Sequence, residues 1–410
     1  MAGVGIGDVS LTFIRYLQGV VETLNQKSKL RQLLRRDDKW TGTHIEGRVH
    51  SARNTGIGYV EDGGAFPVAD KQDYQTYKAY RKFLVGSVQL TDGVMATAAK
   101  GKNVARDVIT SEIKGMMTGL MKMENGMMYL DGTGSVTTLV DATLASSVTD
   151  VAVYDARLLW DGLRVEIRSS GAIGTLHGTS TVSNVEQATN SSNQAIVNFA
   201  SGETVTGASA GDYVVWPGSV NRAITGLDKL IGDSGTFQNI NTATYPRYSS
   251  FVMDNSGTNR DLTPSLFRQL LAGIMHKSGS DSPEDGLTVL TNAWQAINVE
   301  ELYEGELRLS PSDKTSGFAM TSFQSALGRI DIIVDTDAPY NKIFAVDLGK
   351  VYRAVQKDLS WRRQGGSIFK RSDTAGVWTA TAMEICELYI KERNTSGKIS
   401  DLNQTTVNAY

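Results

Sequence analysis

An α+β fold is predicted for this chain of 410 residues, on three observations. Helical and extended runs follow one another without the regular alternation of a doubly wound sheet. The stretch from Asn103 to Tyr129 keeps a helical period for about seven turns. Between about Leu163 and Trp216, the short β-type runs LRVEI, STVSNVE, AIVNF and YVVW are separated by Gly, Ser and Asn.

The length allows two or three folding units at roughly 150 residues each. With 41 Lys+Arg against 44 Asp+Glu the formal charge is −3, which excludes a polycation built to coat nucleic acid. Any contact with nucleic acid is expected to be local or weak. The 41 glycines and only 7 prolines give freedom at turns rather than rigid stops. Cys386 stands alone, so neither an internal disulfide nor a cysteine metal pair is expected, and its reading is a small buried hydrophobe. The opening MAGVGIGDVSLTF lacks the pattern of an export signal, and no apolar run approaches the roughly 18 residues of a membrane span. The expectation is a chain that stays in a cytosol.

Each element follows from its own residues. From Leu11 to Leu34, Ile14, Leu17, Val21 and Leu24 form one helical stripe, and its far end is basic with Lys27, Lys29, Arg31, Arg35 and Arg36. We read this as a terminal arm that grips a neighbouring subunit, with a helix end, a phosphate-facing patch or an anionic membrane surface as other uses. From Trp40 to Asp92 polar and apolar residues alternate along THIEGRVHSAR, a glycine-rich stretch spans Gly56 to Gly64, and a second extended run ends at Leu90. This predicts a long hairpin with too few large apolar residues for a core of its own. Tyr74, Tyr77 and Tyr80, three apart, leave open a partly helical return limb.

The long helix carries Val104, Ile109, Ile113, Met116, Leu120, Met123 and Met127 at steps mostly of three and four. Gly115, Gly119 and Gly126 inside it point to a bend or the close approach of another backbone. Its methionine cluster lacks His or Cys, so adaptable packing is preferred over copper binding. After Gly226 a helix around Pro264 to His276, capped by Thr263, is followed by the strand LTVLT, a helix near Ala293 to Tyr303, and the extended segments GRIDIIVD and KIFAVD. VWTATAMEICELYIKE completes the body.

No catalytic constellation emerges. The pairs Gly101-Lys, Gly349-Lys and Gly397-Lys lack the hydroxyl of a P-loop, and no GxSxG elbow occurs. His44 and His50 share a strand face without further zinc ligands. Asp331, Asp335 and Asp337 lack the glycine and distal glutamate of a calcium loop and read as a strand end entering a turn at Pro339. Glu300 and Glu301 are adjacent on a helix and point apart.

The order of arm, projecting hairpin, long helix, mixed domain and strand-rich return resembles the major capsid protein of tailed bacteriophages, the Hong Kong 97 fold. The likeness is clearest at GRIDIIVDTDAPYNKIFAVDLGKVYRAVQKDLSW, from Gly328 to Trp361, similar to the family's strand, proline turn, strand and short helix. A second likeness is VWTATAMEICELYIKERNTSGKISDL, from Val377 to Leu402. The resemblance implies an amino-terminal arm at 1–40, an extended loop at 41–92, a peripheral domain with a spine helix at 93–160 and an inserted β-rich module at 161–220. It further implies an axial domain at 221–355, a peripheral return at 356–394 and a closing strand and tail at 395–410.

The function implied is self-assembly, as hexamers and pentamers, into the icosahedral head shell around double-stranded DNA, without catalysis, cofactor, metal or membrane. Scaffold, portal and decoration proteins are the expected partners, and the virion, assembled in host cytoplasm, is the expected location. Inter-subunit contacts are expected at Tyr59, Phe66, Pro67, Tyr77, Ile14, Leu17 and Val21, and weak DNA contact at Lys27, Lys29, Arg31, Arg35 and Arg36. Lys71, Lys78 and Lys82 lie where some relatives cross-link, and read as ordinary solvated lysines. The alternatives are an encapsulin-like cargo compartment, a glycan- or peptide-active hydrolase with a β accessory module, and a membrane-surface protein.

Overall fold

The computed structural model describes residues 29–99, 103–140, 150–170, 174–186, 195–200, 205, 207–279, 286–303, 322–325, 328–363, 367–371 and 376–403. The chain divides into two units. The first comprises Met1–Lys39, Arg81–Gly226 and Arg353–Glu387, the second Trp40–Tyr80, Leu227–Tyr352 and Leu388–Tyr410.

The first unit is organised on the helix Asn103–Met127, which packs on the strand Lys82–Thr91. That strand runs antiparallel to Val377–Ile390, with Lys82 opposite Cys386 and Thr91 opposite Val377. Ile109, Ile113, Met117, Leu120 and Met121 on the helix close with Val88, Leu90, Leu359, Trp361 and Phe369 into one core. Helical spacing on one side and period-two alternation on the other account for this helix-on-sheet layer. Gly126 permits close packing, since a Cβ there would lie 2.4 Å from Leu158 Cδ2. Gly115 and Gly119 face open space within 4 Å, and at Gly126 it is the Leu158 side chain rather than another backbone that approaches, so the expected backbone approach is found at none of the three.

Also in this unit, the β module is a six-stranded sheet in the order Ser135–Thr138, Tyr213–Val215, Arg164–Arg168, Leu176–Glu186, Ala195–Phe199 and Asp150–Val153. Its sheet begins at Ser135, earlier than the sequence runs indicated. Trp216, Ile167, Val165, Val197 and Leu139 are buried in its core.

The second unit holds another six-stranded sheet, in the order Phe251–Met253, Gly397–Ile399, Ile343–Asp347, Leu287–Thr291, Gly328–Val334 and Ser322–Ser325. Leu287–Thr291 is parallel to Gly328–Val334 and antiparallel to Ile343–Asp347, which places LTVLT at the centre and explains why every residue of it is buried. The helix Pro264–Ser278 covers this sheet with Phe267, Leu270 and Ile274. Its ends match their residues. The Thr263 side chain accepts from Leu266 N at 3.2 Å, Pro264 occupies the first turn, and Gly279 closes the helix at φ 63°. Asp335 ends a strand as expected, accepting from Asp337 N at 3.0 Å ahead of the Pro339 turn.

One open alternative is closed and two expectations are corrected. Tyr74, Tyr77 and Tyr80 lie on a strand, Asp73–Tyr80, because its backbone is paired along His44–Ala52. The extended run ending at Leu90 is no hairpin limb beyond Tyr80, since Lys82–Thr91 pairs with Val377–Ile390. The segment Val351–Trp361, a short helix by resemblance, is a strand between Arg35–Asp37 and Val377–Ile390. Sheet neighbours on both sides supply the backbone hydrogen bonds of this strand. Of the segment Leu11–Leu34 residues 29–34 are described, with Lys29–Leu33 a short helix; Ile14, Leu17, Val21 and Lys27 lie outside the described residues.

Candidate assembly surface

The ribbon His44–Ala52 and Asp73–Tyr80 rises from the second unit. His44 pairs with Tyr80 and His50 with Tyr74, and the register shifts between His50 and Ala52. Its base is anchored by Tyr77, only 5% exposed, which stacks on Tyr389 with ring centroids 6.0 Å apart. Gly47 makes room for that ring, since a Cβ would lie 2.2 Å from Tyr77 Cζ. Lys78 N adds a bond to Gln238 O at 2.9 Å. Tyr77 is therefore a structural anchor, and the expected inter-subunit role is corrected because its surface is already covered.

Beyond Ala52 the ribbon opens into a tip. Asn54 Nδ2 donates to Asp70 O at 2.6 Å, the Thr55 hydroxyl to the Asp70 carboxylate, and Gly64 N to Glu61 O at 2.9 Å. The Thr55 hydroxyl bond, with the Lys71 and Thr55 backbone N–H groups, holds the Asp70 carboxyl below its ordinary value. Tyr59 is fully exposed, with Ile57 at 84%, Phe66 at 86% and Val68 at 87%. Pro67 is exposed beside them. Several large apolar side chains exposed together on one loop tip favour association.

The basic arm divides. Arg31 is not a phosphate-facing residue: its side chain is 7% exposed and bonds Glu124 Oε2 at 2.9 Å, with Glu384 at 3.5 Å. Arg353, 3% exposed, bonds Glu124 Oε1 at 3.1 Å and also contacts Glu384. Two buried guanidinium groups thus meet two buried carboxylates. Burial and the facing Glu124 push the Glu384 carboxyl up to about 7, against the opposing pull of Arg353 and Arg31. Arg36 pairs with Asp38 and, at 2.6 Å, with Asp358. Lys29 and Arg35 are exposed. Nothing in the charge run Lys27 to Arg36 separated Arg31 from its neighbours. The available signal was Glu124, a carboxylate falling on the apolar stripe of the long helix between Leu120 and Met127.

Glu124, Glu384 and Cys386 bring potential ligand atoms within 4.8 Å of one another. The cation position between the carboxylates is filled by Arg31 and Arg353, and burial pushes the Cys386 thiol well up, so the cluster fits a salt-bridge core rather than a metal. In the second unit, Asp228 is held by Lys342 at 2.8 Å and Lys398 at 2.6 Å; despite burial, these charges bring its carboxyl down to about 2.

Residues 176–368, just under half of the chain, match the family model of the SU10 major capsid protein. No curated protein matches the chain. Among solved structures, the capsid asymmetric unit of cyanophage A-1(L) aligns with 92% of this chain and 93% of its own, at 14% identity and TM-score 0.57. The capsid of a native GTA particle, computed with C5 symmetry, aligns with 92% and 91% at 8% identity and TM-score 0.50. An encapsulin from Synechococcus elongatus reaches TM-score 0.40 at 10% identity over 93% and 89%, too distant to argue from. The long helix on its sheet, the ribbon and the sheet-centred second unit give this chain the Hong Kong 97-like fold of these capsid structures, and residues 176–368 are similar to the SU10 major capsid protein family.

Proposed function

We propose that copies of this chain close, as hexamers and pentamers, into an icosahedral shell around double-stranded DNA, each ribbon tip lying on the next subunit. One observation carries this reading: Ile57, Tyr59, Phe66 and Val68 stand exposed on a ribbon with no core of its own. Covering four such side chains is worth roughly 1.5–3 kcal/mol each. A head-to-tail contact made by every copy is satisfied only when the arrangement closes. Tyr59, Phe66 and Pro67 are the contact residues in this reading, with the arm residues Ile14, Leu17 and Val21 as a second grip.

The chain acts by association rather than by turnover. DNA contact falls to Lys27, Lys29, Arg35 and Arg36, and its weakness suits a genome that must slide during filling. Scaffold and portal proteins would set size and entry, and the mature product is a virion component. The test is negative-stain microscopy of the purified chain, alone and with a candidate scaffold protein. Hollow icosahedral particles are expected. A monodisperse monomer under both conditions would overturn the reading.

A further inference from the structure

Beside the half of the ribbon nearer its tip, from Arg48 to Arg53, lies a cleft of about 470 Å³ within the second unit. Arg48 and Arg53 of the ribbon line one side, Arg247 and Lys391 the other. Among the described residues, Arg48, Arg53 and Arg247 form no ion pair. The Lys391 ammonium sits 4.1 Å above the Tyr352 ring. The carboxylate at the rim, Glu392, is already engaged by Lys350 at 3.1 Å. Clustered like charges repel, and a concave site with unanswered positive charge favours a carboxylate-bearing occupant. Its volume is that of a small-ligand pocket, roughly 300–1,000 Å³, suited to a few side chains and too small for a duplex.

The same chain carries the complementary element. Glu61 and Asp62 are adjacent at the ribbon tip, both exposed, and neither forms an ion pair among the described residues. The Gly64 N to Glu61 O turn and Gly63 at φ 78° hold them at the apex, next to exposed Tyr59 and Phe66. In this chain the tip is uncovered, so it does not fill the cleft beside its own ribbon. We propose that the cleft bounded by Arg48, Arg53, Arg247 and Lys391 is the receptor for the Glu61–Asp62 tip of a second copy. The inference rests on the shell reading and adds to it a specific, salt-dependent lock: charge sets the register, and the flanking aromatic side chains provide the burial.

The test is charge reversal. Arg48→Glu with Arg247→Glu, and separately Glu61→Lys with Asp62→Lys, are each expected to lower shell yield at least tenfold at low salt. All the substituted positions are exposed, so circular dichroism melts should match the parent and exclude unfolding. The chain carrying both reversals is expected to recover shells. Undiminished yield in either half-reversal overturns the proposal, as does failure of the combined chain to recover. Normal shells with lost DNA retention in the cleft variant would also overturn it, in favour of a nucleic-acid contact. A synthetic peptide of residues 55–70 reads the receptor without assembly. Salt-sensitive binding by the parent chain, lost in Arg48→Glu/Arg247→Glu, supports the receptor even where no shells form; no binding overturns it.

Discussion

Replacing Arg31 by Ala removes one of two cations from a site that holds two buried carboxylates. Glu124 loses its 2.9 Å partner, Glu384 loses a charge at 3.5 Å, and both must then rely on Arg353. Breaking a buried ion pair from one side costs about 3–5 kcal/mol, because the remaining charge is left uncompensated. At about 2–4 °C per kcal/mol for a unit of this size, the unfolding midpoint should fall on the order of 10 °C. The pH dependence is diagnostic. Glu384 titrates near 7 in the folded chain against an ordinary 4.5, so it takes up a proton more readily folded than unfolded. Its contribution to stability is complete below about 4.5 and is lost as pH rises through about 7. Without Arg31 the carboxyl is pushed higher still, so the deficit of the variant should be largest at pH 8 and shrink by pH 5. Circular dichroism melts of the dispersed chain at both values supply the measurement. Arg31→Lys should recover part of the loss, since it keeps the charge and loses the fork. A deficit below about 1 kcal/mol, or one equal at the two pH values, would refute the reasoning.

Two glycines of one helix should respond in opposite directions. Gly126→Ala drives a methyl into Leu158 and should destabilise by about 1–3 kcal/mol, whereas Gly115→Ala, in open space on an exposed helix turn, should stabilise by up to about 1 kcal/mol. Thr263→Ala removes the cap on Leu266 N and should cost about 1 kcal/mol in urea unfolding. Asp228 has a folded value lowered to about 2 from 3.8, so its contribution is present above 3.8 and is lost as pH falls through 2. That depression corresponds to roughly 2 kcal/mol. Asp228→Asn should therefore flatten the acid limb of the stability profile; an unchanged limb between pH 4 and pH 2 would contradict the assignment.

Much of this architecture was legible in local residue patterns. Thr263 and Pro264 start a helix by their own chemistry, the long helix carries its period without help, and LTVLT reads as a strand because it is a short run of aliphatic and β-branched residues. The exposed tip was equally visible, since a glycine-rich stretch with isolated aromatics cannot build a core. What local pattern left open was decided by partners distant along the chain. Tyr74, Tyr77 and Tyr80 fit either period until His44–Ala52 pairs beside them, and Val351–Trp361 becomes a strand because it has strand neighbours on both edges. Arg31 lay in a run that reads as solvated charge, yet it is 93 residues from Glu124, and Arg353 is 229 residues away from the same carboxylate. Helix caps and turns depend on neighbours within a few residues, so composition suffices to place them. A buried charge cluster depends on which backbones meet, and only the folded arrangement determines whether an arginine faces water or a carboxylate.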